Sequence, residues 1–87
     1  MNNNETEKFW DQLKDTRDEL RVRAYLAKRE IQDEWEVVEE KWHVAEKKLN
    51  DLKDDAIEST LEMKNSAHII MEEISSAYDR IKKRLND

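Results

Sequence analysis

The chain has 87 residues, of which 44% are charged, with no glycine, proline or cysteine and a formal net charge of −6. Lacking glycine and proline, it cannot supply the primed turns of β-hairpins or the loops that cradle phosphates, so nearly all of it must be helix. The lack of cysteine excludes disulfides, thiol chemistry and thiolate metal cages. Negative net charge repels phosphate backbones and anionic bilayers, so no nucleic acid is expected as a partner and a membrane surface is disfavoured. No apolar run approaches the roughly 18 residues of a membrane span. Met1 to Glu7 also lacks the basic start and apolar run of a secretory signal, and a cytoplasmic location is expected.

In chain order, residues 1–5 read as a frayed polar tail ahead of Thr6, which can cap a helix. An apolar stripe then runs through Leu13, Leu20, Ala24, Ala27, Ile31, Trp35, Val38, Trp42, Ala45 and Leu49. It continues through Leu52, Ala56, Thr60, Met63, Ala67, Ile70, Ile74, Ala77, Ile81 and Leu85. With Arg17 filling the one missing rung, twenty steps carry the stripe from Leu13 to Leu85, a mean of 3.6 residues. That period fits nearly straight helices in a bundle better than a supercoiled rod. Weak helix formers concentrate only at Asn50 to Asp55, where Asp55 and Glu58 have capping-box spacing. The expected division is a helix over 6–50, a turn at 51–55 and a second helix over 56–86, all in one domain. Because the stripe keeps its phase through the turn, one continuous helix of about 115 Å is the alternative.

The second half carries a broader apolar face, widened by Ile57, Leu61, Met71 and Tyr78, while the first half has a second, weaker strip of Leu26, Val37 and Val44. Two strips on one helix imply two neighbours. Charges come in blocks: Arg21, Arg23, Lys28 and Arg29 are followed by Glu30, Asp33, Glu34, Glu36, Glu39 and Glu40, then by Lys41, Lys47 and Lys48. A parallel dimer would set each block against its own kind. An antiparallel dimer of the first helix, centred near Glu30, sets opposite signs together. Such surface pairs are worth only about 0 to 1 kcal/mol each, enough to choose an orientation rather than to hold a dimer. With the second helices folded back, the fold class expected is an all-α, coiled-coil-like antiparallel helical hairpin that dimerises into a four-helix bundle.

Glu40 and His43 have the Glu-x-x-His spacing of carboxylate metal bundles, but Glu40 lies opposite the seam and Asn65 takes the corresponding place before His68. Both histidines read as surface residues, His68 in a local contact with Glu72. Trp35 and Trp42 read as core, and Phe9 and Trp10 as either a bundle cap or an exposed patch. No serine or threonine has a histidine placed to activate it. The basic run Arg80, Lys82, Lys83 and Arg84 complements the dipole of the last helical turns. No catalytic, cofactor-binding or metal-ligating residue is assigned, and no cofactor is expected; the residues assigned a role are the seam itself, as core or oligomer contact.

The stretch from Glu19 to Lys28, then Asp33-Glu34-Trp35-Glu36, Lys41-Trp42 and Tyr78-Asp79-Arg80-Ile81-Lys82, resembles a group of short bacterial helical proteins of uncharacterised function. The resemblance implies a bacterial coiled-coil or helical-hairpin protein and brings no activity with it. The expected function is a non-enzymatic, self-associating protein-interaction or scaffold module. Alternatives are a lipid-surface amphipathic helix or a holdase-like adaptor exposing Phe9 and Trp10.

Overall fold

The computed structural model describes residues 3–53 and 61–86. They form three helices, α1 (Asn3–Tyr25), α2 (Arg29–Lys53) and α3 (Leu61–Asn86). The helix expected over 6–50 is therefore two helices, broken at Leu26 to Lys28. Magnitudes explain the break. Folding α1 back buries Trp10, Leu13 and Leu20 to 7% exposure or less, which is worth about 1.5 to 3 kcal/mol per large apolar side chain. Interrupting the helix gives up a few backbone hydrogen bonds at about 0.5 to 1.5 kcal/mol each.

The reversal is built without glycine, and no described residue has a positive φ. The Ala27 amide donates to the Ala24 carbonyl at 3.2 Å, tightening the end of α1. The Lys28 carbonyl accepts from the amides of Ile31 and Gln32 at 3.0 and 3.1 Å, which opens α2. The Gln32 side chain then donates its Nε2 to the carbonyls of Tyr25 at 2.8 Å and Ala27 at 3.0 Å. One side chain thus caps carbonyls that the end of α1 would otherwise leave unpaired.

Other boundaries also move. The helix begins at Asn3, so Thr6 lies inside it and the polar tail is shorter than residues 1–5. Residues 51–53 of the expected turn are the last of α2, while 54 and 55 lie outside the described residues. The helix expected over 56–86 is described from Leu61 onward, so Ala56, Ile57 and Thr60 also fall outside.

Contacts fix the directions. Trp10 lies on Trp42 and Arg17 pairs with Glu39, so α1 and α2 run antiparallel. Lys41 pairs with Glu73 and Trp35 lies against Tyr78, so α3 is antiparallel to α2. Phe9 meets His68 at one end and Arg23 meets Asn86 at the other, so α1 and α3 run parallel. The resulting three-helix bundle measures 44 × 20 × 17 Å, which rules out the continuous helix of about 115 Å. It also replaces the simple hairpin within one chain. α3 packs on both partners, while α1 and α2 touch each other least.

The core follows the stripe. Leu13, Leu20, Ala24, Ile31, Val38, Trp42, Ala45, Leu49, Ile74 and Ile81 are buried. Ala27, Trp35 and Ile70 are partly buried against them. Met71 and Tyr78 join the core, but Leu61 is exposed. The weaker strip of Leu26, Val37 and Val44 also faces outward, because α1 meets α2 along the main seam and leaves that flank uncovered. Leu20, at 1% exposure, lies at the heart of α1's contribution. Leu20→Ala is expected to cost about 2 to 5 kcal/mol in urea unfolding, because the cavity it leaves is closed in by rigid neighbours.

Candidate functional site

Midway along α1, Arg17 occupies the rung where the apolar stripe lapses. Its Nε and one terminal nitrogen donate to the two carboxylate oxygens of Glu39, both at 2.8 Å. The guanidinium also lies over Trp42, 4.9 Å from the ring centroid, so one cation meets both a carboxylate fork and an aromatic face. Side-chain exposures of 21% and 23% leave this pair largely, though not fully, withdrawn from water. The hydrogen bonds to Arg17 hold the Glu39 carboxyl below the usual glutamate range, and the same bonds raise Arg17 further. Both stay charged at neutral pH.

Beside them the Tyr78 ring lies against Trp35 at 5.6 Å, with its hydroxyl buried and unpaired among the described residues. Burial, followed by the Glu39 charge, pushes the phenol well above its ordinary value. The layer therefore holds a fixed cation, a fixed anion and a neutral phenol, with no group poised to exchange a proton near neutrality. It acts as a register lock for α1 on α2.

Removing one charge tests the lock. Glu39→Gln is expected to cost about 1.5 to 3 kcal/mol at neutral pH, from losing charge-assisted hydrogen bonds. Because the folded pKa is lowered, the contribution is full above the ordinary glutamate value of about 4.3. It is lost as pH falls through the lower folded value. Denaturation curves of the two proteins should therefore converge in acid. Tyr78→Phe removes a buried donor with no protein partner and should leave stability unchanged or raise it by about 1 kcal/mol.

The other candidates are dispersed. Glu40 and His43 are exposed on the outer side of α2, and among the described residues no group of three or more His, Cys, Asp or Glu side chains gathers as a metal site. His68 stands at the edge of α3, with Nε2 at 3.1 Å from Glu72 and its ring 5.6 Å from Phe9. Trp10 is 7% exposed and stacks on Trp42 with centroids 4.0 Å apart. Phe9 is partly buried. Together they close this end of the bundle, so of the two readings of Phe9 and Trp10 the cap is the one their burial fits.

Two basic runs far apart in sequence are joined by the fold. The ends of α1 and α3 and the start of α2 meet at one end of the bundle, gathering Arg21, Arg23, Lys28, Arg29, Arg80, Lys82, Lys83 and Arg84 there, half of the chain's 16 lysines and arginines. Arg84 pairs with Glu34 and Glu30, and Arg23 donates to Asn86. Tyr25 and Leu26 stand among them at 78% exposure. In the sequence the two runs stand apart, one a helical charge block and the other a dipole complement. Arg84 reaches Glu30 and Glu34 because α3 returns along α2, and the reversal at 26–28, which no breaker residue signals, adds the end of α1 with Arg21 and Arg23. No helix of the described residues is long and apolar enough to cross a membrane. No protein-family model matches the sequence, and neither curated proteins nor solved structures give a match.

Proposed function

We propose that this chain is a non-enzymatic, self-associating interaction module, and that it associates by exchanging α1 between two copies. The supporting observation is the register of the α1 and α2 pairing. Trp10 with Trp42 and Arg17 with Glu39 are centred on residues 26 to 28, two to four residues before the dyad that the charge blocks suggest near Glu30, so an exchanged dimer takes its centre from the closed pairing, at the turn itself. A hairpin and a two-fold antiparallel dimer with one centre make the same contacts, once within a chain and once between chains. Opening the turn therefore loses no pairing that a second copy cannot restore.

The turn also suits opening. Leu26, Ala27, Lys28 and Arg29 favour helix, and Ala24, Ala27 and Ile31 keep helical spacing across it. Straightened, α1 and α2 become one helix of about 75 Å. Two copies with α3 folded back then form two three-helix bundles end to end, each taking α1 from the other copy, with two long and two short helices in all.

Light scattering behind gel filtration tests this, with mass read over a wide range of concentration. A dimer that becomes a monomer when two glycines are inserted between Ala27 and Lys28 supports the exchange. Gln32→Ala removes the two side-chain hydrogen bonds of the closed turn from each chain. It is expected to tighten the dimer by about tenfold or more. Lys28→Cys, placed near the dyad, should crosslink to its mate under oxidation. A monomer at every concentration overturns self-association; a dimer indifferent to the glycine insertion overturns the exchange alone.

A further inference from the structure

We infer that the basic end of the bundle is a docking surface for an acidic protein segment bearing a bulky apolar side chain. Within it, a cleft of about 650 Å³ lies between the α1–α2 turn and the last turn of α3. Its floor is apolar, formed by Ile31, Ala27 and Leu85, and Leu26 stands exposed at its side. The exposed Arg23 and Lys28 edge it.

The surrounding charge is largely uncommitted. Lys28, Arg29, Arg80, Lys82 and Lys83 make no ion pair with any described residue. Acids farther along the 44 Å bundle are screened over about 8 Å at physiological salt, so the charges that offset this field are the local Glu30, Asp33, Glu34 and Asp79, against eight lysines and arginines. An apolar side chain in the cleft with carboxylates on either side would meet both the floor and the free cations. Such a segment fits better than a bilayer because acidic side chains stand among the cations. Glu30 also lines the cleft, and Glu34 stands close by on Arg84; a flat anionic surface would be pressed against both, whereas a peptide can avoid them.

Fluorescence anisotropy with a labelled peptide of aspartate and glutamate around one central leucine tests the inference on the full chain. Two companion probes are the same peptide with serine in place of leucine, and vesicles containing phosphatidylserine. The leucine peptide should bind in a salt-dependent way. Lys28→Glu with Arg29→Glu, and separately Lys82→Glu with Lys83→Glu, should each weaken it by about tenfold or more. Lys47→Glu with Lys48→Glu, at the far end of α2, should leave it unchanged. Leu26→Ser should weaken the leucine peptide and leave the serine peptide as it was. Circular dichroism of each variant checks that the helices persist, and the two charge-reversal pairs lie on different helices, so misfolding of one does not remove the test. No binding of the leucine peptide, equal binding by both folded charge-reversed pairs, or binding to vesicles without binding to peptide overturns the inference. The cleft belongs to the chain with its α1–α2 turn closed, so binding is read on protein whose mass by light scattering is that of a monomer, and self-association is judged separately by mass.

Discussion

A single apolar stripe, carried in phase along an acidic and highly charged chain, has to be buried against itself. Each helix has one main apolar face and no second one wide enough to hold a neighbour on its far side. The three faces must therefore converge on a common axis, which requires the chain to reverse between α1 and α2 and again between α2 and α3. Burial of Trp10, Leu13 and Leu20 outweighs the helical hydrogen bonds given up at residues 26 to 28. The stacked tryptophans and the arrival of Arg21 and Arg23 at the basic end follow from that reversal, while α3 reaches the same end by returning along α2.

The lapse in the stripe at Arg17 matters as much as its continuity. An arginine at a seam position has to be satisfied where it is largely, though not fully, withdrawn from water, and Glu39 with Trp42 provides both a carboxylate fork and a ring face. Apolar contacts tolerate sliding along a helix pair, while a bidentate pair has one register. Arg17 thus specifies how α1 lies on α2, and the apolar layers supply most of the stability. In the proposed exchange the same specificity would hold with Glu39 supplied by a second copy.

The function proposed for this chain rests on its surface and its turn. The central layer holds groups locked in their charge states, and the histidines lie apart at the helix edges. What distinguishes one part of the surface from another is the basic end, where an apolar cleft lies near Lys28, Arg29, Arg80, Lys82 and Lys83, which make no ion pair with any described residue.

The spacing of apolar residues determined that the chain is helical and which face each helix buries: Leu20, Ala24, Ile31, Val38, Trp42, Ala45, Ile74 and Ile81 are stripe positions, and all are in the core. That much is local, because a period of 3.6 residues is written in the side chains themselves. The break at Leu26 to Lys28 was not legible, because those residues favour helix and no glycine or proline marks the place. Gln32 holds the turn from the next helix, and a capping side chain of that kind resembles any other surface glutamine in sequence. The outward-facing strip of Leu26, Val37 and Val44 had the same apolar signature as a buried one; only the placement of α1 on the main seam left it exposed. The basic end was equally hidden. Its two halves are more than fifty residues apart in the sequence, and only a bundle that returns the end of α3 to the start of α2 brings their charges together.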